Sequence, residues 1–126
     1  MLLFNLVYLG GLMKPVTLTK NWEFQRAYNR GKHYVSDILV TYVIKNKSDN
    51  LQIGITTSKK IGKAVSRNRC RRIIKAAFCN IYNDIYNKNN CKNYDLVFVA
   101  RTKTVFVKST DIEKCMRIHL QKAGII

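Results

Sequence analysis

The strongest pattern along the chain is an apolar stripe that recurs every three to four residues between about Ser66 and Tyr86. This spacing predicts an amphipathic helix that buries one side against the rest of the protein. The stripe consists of Cys70, Ile73, Ile74, Ala77, Phe78, Ile81 and Ile85.

Helical spacing also appears near both ends of the chain. Asn21 is a candidate cap for a first helix, Glu23 suits its first turn, and Gly31 is a natural stop just past its end. The apolar positions of this first helix are Trp22, Phe24, Ala27 and Tyr28. A last helix is expected from Asp111 onward, and its inward positions are Ile112, Cys115, Met116 and Leu120.

Alternating apolar residues between the helices predict β-strands. Residues 33–45 alternate as one strand, residues 46–50 have turn chemistry, and residues 51–57 alternate as a second strand, so a hairpin is expected. Residues 96–100 are apolar on both faces, which is typical of a central strand, and residues 87–93 form a polar loop. The expected order is therefore helix, hairpin, helix, strand, helix.

Composition adds a strong positive charge to this picture. The 126 residues suit a single domain, and they carry 23 Lys and Arg against 7 Asp and Glu, a formal net charge of +16. Such a charge destabilises a compact chain by self-repulsion unless anions are close. Nucleic acid is the commonest anionic partner, and a membrane surface is the second.

The cysteines offer little support for a zinc site. They form no C-x-x-C pair, and only His33 and His119 could complete a metal site. Free thiols in a reducing cytosol are the favoured interpretation. The four residues are Cys70, Cys79, Cys91 and Cys115.

The first twelve residues are almost wholly apolar and uncharged. They lack the basic start of a signal peptide, and they are shorter than the ~20 residues that span a bilayer. We expect Met13 to be the physiological start, residues 1–12 to be an extension outside the fold, and residues 13–126 to form one domain. A short membrane-touching segment is the alternative.

The basic residues cluster where a helix would least tolerate them. No acidic residue lies between Asp49 and Asp84, and four arginines fall in the first two turns of the predicted middle helix. The helix dipole disfavours cations there by about 0.3–1 kcal/mol each, whereas a bound phosphate would be favoured by the dipole, the free N–H groups and the guanidinium groups together. A solvated helix face is the alternative, but such faces usually mix both signs. The basic residues of this interval are Lys59, Lys60, Lys63, Arg67, Arg69, Arg71, Arg72 and Lys75.

Residues 59–72, KKIGKAVSRNRCRR, resemble the signature of the bacterial ribonuclease P protein component, K-x-x-G-x-A-V-x-R-N-R-x-(K/R)-R. The resemblance extends over about residues 18–101. It implies an α/β fold (an α+β sandwich) in which a four-stranded sheet is packed by helices, with the order α-β-β-(β)-α-β-α and a left-handed β-α-β crossover. The additional strand would come from Ser58–Lys60 or Val105–Val107.

The resemblance also implies a function. The protein would be the non-catalytic subunit of ribonuclease P, an endoribonuclease whose RNA carries the chemistry, and it would assist removal of the 5′ leader from precursor tRNA. Lys75 departs from relatives that often carry Arg, so its contact loses a bidentate fork. The expected contacts with the catalytic RNA are Lys59, Lys60, Lys63, Arg67, Asn68, Arg69, Arg71, Arg72 and Lys75.

The family has a second surface, a cleft between the first helix and the sheet that holds the single-stranded leader of precursor tRNA. Aromatic faces can stack unpaired bases for ~1–3 kcal/mol each. The alternative is that the same residues are simply core between helix and sheet. The residues that match the lining of the cleft are Phe24, Tyr28, Val40 and Tyr42.

The remaining expectations concern cofactors, partners and other function classes. We expect no catalytic residue and no metal ligand in the protein, with magnesium held mainly by RNA in the holoenzyme. The expected state is a cytoplasmic monomer, without membrane contact, in a 1:1 ribonucleoprotein with the catalytic RNA. A self-contained nuclease would need a general base or a metal cage, and His33 and His119 have no obvious acidic partner. A structural RNA-binding protein of the ribosome type would explain the charge but not the long signature.

Overall fold

The computed structural model describes residues 6–9, 12–47, 51–87 and 93–126. Within them the chain forms three α-helices, six β-strands and two short 3₁₀-helices, Lys59–Ile61 and Thr102–Phe106. The α-helices are α1 (Asn21–Arg30), α2 (Ala64–Asn87) and α3 (Ser109–Lys122). The strands are β1 (Leu6–Leu9), β2 (Leu12–Thr17), β3 (Lys32–Val35), β4 (Leu39–Lys45), β5 (Gln52–Thr56) and β6 (Tyr94–Ala100).

The strands form one mixed sheet in the order β1-β2-β5-β6-β4-β3. Strand β6 pairs antiparallel with β4 and parallel with β5, which confirms its predicted central place. Its residues 95–98 are buried because helices cover both faces of the sheet at this point. Helix α2 connects the parallel neighbours β5 and β6, and the hand of this crossover stays a prediction.

The predicted hairpin is wrong. Strand β6 lies between β5 and the segment that was expected to pair with it, and residues 33–45 form two strands instead of one. Ser36 makes the break, because its hydroxyl accepts from the N–H groups of Ile38 and Leu39 at 3.4 and 3.2 Å. A serine that bonds to backbone two or three residues ahead favours a turn over a continuous strand.

The expected count of four strands is also wrong. Strands β1 and β2 lie outside every segment predicted as strand, and both candidates for the additional strand, Ser58–Lys60 and Val105–Val107, overlap the 3₁₀-helices. Local hydrogen bonds explain this outcome, since the Ser58 hydroxyl accepts from the Lys60 N–H at 3.3 Å and the Thr104 hydroxyl accepts from the Arg101 N–H at 2.8 Å.

The apolar extension contributes to one edge of the sheet. Strand β1 pairs antiparallel with β2, with Leu6 opposite Pro15 and Leu9 opposite Leu12. The described part of residues 1–12 therefore contacts the sheet, where we expected it to stand apart. A start at Met13 stays a prediction. None of the helices in the described ranges is long and apolar enough to cross a membrane.

The helix predictions hold, with shifted ends. All seven members of the apolar stripe of α2 are buried, and so are Ile112, Met116 and Leu120 of α3. Asn21 is not the cap of α1, because the backbone N–H of Lys20 donates to the Glu23 carboxylate at 3.1 Å, one residue earlier. Gly31 does end α1: its N–H donates to the Ala27 carbonyl at 2.9 Å, and a Cβ there would press on that same oxygen.

The sheet separates two apolar clusters of different size. Helices α2 and α3 cover one face, where Leu39, Leu96 and Phe98 are fully buried; we call this the main core. Helix α1 covers part of the other face, which we call the α1 face. The apolar cluster there has three buried members, Leu18, Ala27 and Val97, with five half-buried residues packed around them: Phe24, Tyr28, Tyr42, Ile44 and Val99.

Candidate nucleic-acid interface

A glycine turn sets the direction in which α2 begins. The 3₁₀-helix Lys59–Ile61 ends when the Gly62 N–H donates to the Lys59 carbonyl at 3.2 Å. Gly62 has φ +134°, a conformation that side-chain-bearing residues rarely adopt. The chain then enters α2, whose first turn contains no acidic residue. The lysines of the turn and the arginines of the helix thus come from the 3₁₀-helix and the start of α2, which are connected by Gly62 and Lys63.

The predicted contacts with catalytic RNA lie on these two elements, and together they form what we call the basic cluster. Only two of its members, Arg67 and Arg69, are half-buried. Arg71 donates to the Asn68 side-chain oxygen at 3.2 Å, which aligns these two polar groups on the exposed side of the helix. The exposed members are Lys59, Lys60, Lys63, Asn68, Arg71, Arg72 and Lys75.

The carboxylates that the structure describes do not neutralise this cluster. Within the described ranges, each acidic side chain has a partner elsewhere, and no ion pair involves a cation of the basic cluster. Glu23 and Asp111 accept from backbone N–H groups at the starts of α1 and α3. The ion pairs are Asp95 with Arg26, Asp37 with Lys103, and both Asp84 and Glu113 with Arg117. The positive charge at the start of α2 is therefore left for an external anion.

Arg69 behaves differently from its neighbours. Its Nε donates to the Val105 carbonyl and its Nη2 donates to the Val107 carbonyl, each at 3.0 Å. The side chain thus ties α2 to the segment that follows β6. A contact between Arg69 and RNA stays a prediction, whereas this internal brace was not anticipated.

The four expected lining residues of the cleft share the α1 face. Phe24, Tyr28, Val40 and Tyr42 are all half-buried. Phe24, Tyr28 and Tyr42 pack in the apolar cluster of this face, and Val40 lies two residues before Tyr42 in β4 and so on the same side of the strand. The rings of Tyr28 and Tyr42 meet edge to face with centroids 5.0 Å apart. The Tyr28 hydroxyl donates to the Thr56 hydroxyl at 3.3 Å, which fixes the ring against β5.

Two features that position α1 escaped sequence reasoning. A Cβ at Gly54 would overlap ring carbons of Phe24, so the bare backbone of β5 makes room for that aromatic side chain. The second feature is an ion pair: Arg26 Nη2 lies 2.9 Å from Asp95, whose side chain is 1% exposed, and Asn46 donates to the other carboxylate oxygen at 2.7 Å. An acid directly before an apolar strand segment was the available signal.

A groove joins the basic cluster to the α1 face. It encloses about 410 Å³ beside β5, just past the point where β2 stops pairing. Phe24 lines this groove and also belongs to the α1 face, so an extended chain could pass from one surface to the other. The walls of the groove are Thr17, Leu18, Phe24, Ile53 and Ile55 on the apolar side and Arg71, Arg72 and Lys75 on the basic side. Apolar and aromatic walls beside cations are suited to bases linked by phosphates.

His119 and Cys115 lie together on α3, away from the basic cluster. His119 is buried, its Nδ1 lies 2.8 Å from the Thr41 hydroxyl, and burial followed by the charge of Lys122 lowers its pKa. Cys115 lies 3.7 Å from its other ring nitrogen, and burial raises the pKa of that thiol. In the ranges that the structure describes, no three His, Cys, Asp or Glu residues converge as a metal would require. Cys91 lies outside those ranges.

Comparisons with known proteins extend the signature match to most of the chain. The family model described as Ribonuclease P matches residues 12–124. The ribonuclease P protein component of Clostridium botulinum is 42% identical over 113 residues, which cover 90% of this chain and 98% of the relative. That of Clostridioides difficile is 39% identical over 109 residues, covering 86% and 91%. The solved structure of the Staphylococcus aureus RNase P protein matches with a TM-score of 0.71 at 29% identity, covering 89% of this chain and 98% of that one.

Proposed function

Because this chain belongs to the ribonuclease P protein component family, we propose that it binds the catalytic RNA and the 5′ leader of precursor tRNA and thereby assists leader removal. In this role it is the protein subunit of an endoribonuclease holoenzyme. The basic cluster contacts the catalytic RNA, and the cleft on the α1 face holds the leader.

The observation that carries this proposal is the uncompensated charge at the start of α2. Arginines in the first turns of a helix lower its stability unless an anion is present. Here the carboxylates that the structure describes are engaged elsewhere. Phosphate groups of an RNA supply the missing negative charge, and guanidinium groups bind them with strong, directional hydrogen bonds.

The division of labour follows from the chemistry available to each partner. The protein raises the affinity of the catalytic RNA for its substrate and screens the repulsion between two polyanions. Magnesium, held mainly by RNA, supplies the activation and charge stabilisation of the cleavage step. The half-buried rings of Phe24, Tyr28 and Tyr42 are suited to stacking on unpaired leader bases. Such stacking depends little on which base is present.

Cleavage of precursor tRNA by the cognate catalytic RNA at low magnesium tests the proposal directly. We expect the protein to raise the cleavage rate and lower the magnesium requirement. The protein alone should leave the substrate intact, since cleavage without added RNA would indicate a self-contained nuclease. Unchanged cleavage together with co-purification on ribosomal subunits would favour a structural RNA-binding protein instead.

A salt titration tests the basic cluster. Each phosphate contact contributes about 0.7–0.9 to the slope of log affinity against log salt concentration. We expect Arg71→Ala to weaken binding to the catalytic RNA and to flatten that slope by about this amount. Lys114→Ala, an exposed cation on α3, is the matched control and should leave the slope unchanged. An unaltered slope in Arg71→Ala would remove this residue from the interface.

A further inference from the structure

An aromatic ring stands almost free of the protein beside the basic cluster. Phe106, the last residue of the 3₁₀-helix Thr102–Phe106, is 85% exposed, the largest value among the exposed large apolar residues of the described ranges. Leaving a phenyl ring in water forgoes the favourable free energy of burying it. Single exposed apolar residues are common on protein surfaces, so the residues around Phe106 decide whether a partner covers its ring.

The backbone that carries Phe106 is held firmly. Arg69 binds the carbonyls on both sides of it, those of Val105 and Val107, at 3.0 Å each. Upstream, the buried Thr104 hydroxyl donates to the Ile38 carbonyl at 2.6 Å. Val105 and Val107 pack against the main core. The Phe106 ring is therefore exposed on a turn whose backbone is held by hydrogen bonds, while the side chains of Val105 and Val107 on either side of it pack inward.

The surroundings of the ring select the kind of partner. The 3₁₀-helix that ends at Phe106 packs against α2 and against the 3₁₀-helix that carries Lys59 and Lys60. Lys103 and Lys108 are exposed in the same segment. The nearby acids are engaged, Asp37 with Lys103 at 3.8 Å and Asp111 with the backbone at the start of α3. A partner that offers flat apolar surface together with negative charge fits this setting, and an unpaired nucleotide provides both.

We propose that Phe106 stacks on an unpaired base of the catalytic RNA, and that Arg69 is a positioning residue that presents Phe106 by holding the carbonyls on either side of it. This inference rests on the proposed function, because it assumes that the basic cluster contacts that RNA. It gives the second arginine of the signature a role different from that of its neighbours: Arg67, Arg71 and Arg72 face the polyanion, whereas Arg69 acts through the aromatic residue.

Equilibrium binding of the cognate catalytic RNA to full-length variants tests the stacking contact. Phe106→Ala should weaken binding about 5- to 150-fold, the range expected for loss of one base–aromatic stack. Its salt slope should match that of the wild type, since no phosphate contact is lost. Phe106→Trp should bind at least as well as the wild type. Ile118→Ala, which removes a 51% exposed apolar side chain from α3, is the control and should bind normally.

A double-mutant cycle tests the role of Arg69. Arg69→Ala should weaken binding in the wild-type background and add little in the Phe106→Ala background, because both changes remove the same contact. Equal losses in the two backgrounds, with a salt slope flatter by about 0.7–0.9, would make Arg69 an ordinary phosphate contact.

The outcomes separate this inference from the proposed function. Wild-type protein that fails to bind the catalytic RNA would overturn both. Wild-type binding that Phe106→Ala leaves unchanged would overturn the stacking contact alone. Self-association that sedimentation detects in the wild type and that Phe106→Ala abolishes would assign the ring to a protein contact and would also overturn the inference.

Discussion

The two faces of the central sheet are built on different principles. The main core, under α2 and α3, is one continuous apolar cluster, and most of its large side chains are buried. On the α1 face the apolar cluster of the described residues has three buried members, and the aromatic side chains around them keep open surface. The main core thus contributes most of the buried apolar surface, whereas the α1 face keeps aromatic surface open for a ligand. Substitutions in the main core should therefore mainly lower the free energy of unfolding, and substitutions on the α1 face should mainly weaken binding.

The largest expected effect contrasts one aromatic residue from each face. Phe98→Ala should lower the free energy of unfolding by about 3–5 kcal/mol, because it opens a cavity in the main core. Tyr42→Ala removes a half-buried ring and should cost distinctly less, while weakening binding of the precursor-tRNA leader. Chemical denaturation and leader-binding titrations measure the two quantities. Equal losses of stability would contradict the contrast between the faces.

A polar brace should account for much of the attachment of α1. Arg26→Met leaves the Asp95 carboxylate buried and, among the described side chains, bonded to Asn46 alone. We expect the free energy of unfolding to fall by about 2–3 kcal/mol, somewhat less than for a fully buried pair because Arg26 is 26% exposed. The double variant Arg26→Met/Asp95→Asn removes the stranded charge and should recover part of the loss. Chemical denaturation of the wild type, the single variant and the double variant under one set of conditions measures these free energies of unfolding. A double variant less stable than the single variant would count against the brace.

Gly54 should limit what the cleft tolerates. Gly54→Ala places a methyl group where the Phe24 ring lies, and the overpacking should cost about 1–3 kcal/mol of unfolding free energy. Leader binding should weaken, because Phe24 must move, whereas binding of the catalytic RNA should be retained. The double variant Gly54→Ala/Phe24→Leu replaces the displaced ring by a smaller aliphatic side chain. It should recover the free energy of unfolding but not the binding of the leader. Simultaneous loss of both RNA-binding activities would argue against two separate surfaces.

The smallest effect concerns pH and the main core. Burial, followed by the charge of Lys122, lowers the pKa of His119 below its ordinary value of 6.5, so the unfolded chain takes up a proton more readily than the folded protein. His119 therefore favours folding fully above that value, and this contribution is lost as the pH falls through 6.5 toward the lowered pKa. The unfolding midpoint should decrease from pH 7.5 to 5.5, and His119→Gln should flatten the dependence. An identical profile in the variant would assign the effect to other groups.

Local patterns in the sequence predicted the parts of the fold that depend on neighbouring residues. The stripe of α2 and the apolar run of β6 both had enough periodicity to identify the element and its buried side. Pairing between distant segments was not accessible in the same way. Nothing near residues 46–50 shows that β6 will insert beside β4, and an alternating pattern broken by Ser36 and Asp37 was mistaken for one strand.

The candidate site shows the same limit. The signature located the basic cluster, and the resemblance identified side chains that do lie together on the α1 face. The contacts that orient these surfaces join residues far apart in sequence, such as Arg26 with Asp95 and Arg69 with Val107. A guanidinium group that will hold carbonyls cannot be told from one that will hold phosphate until the chain is folded.

Arg117 forms ion pairs with two carboxylates near the C-terminal end of α2, far from the basic cluster at the start of that helix. It pairs with Asp84 at 2.9 Å and with Glu113 at 3.3 Å, and Arg67 and Asp84 are separated by about 26 Å along the helix at 1.5 Å per residue. The protein therefore carries uncompensated positive charge at the start of α2, whereas the carboxylates described near the other end of this helix are paired with Arg117. In the electric field of an approaching polyanion, such a protein would turn the start of α2 toward the polyanion before contact. A larger share of collisions would then begin with the basic cluster facing its partner.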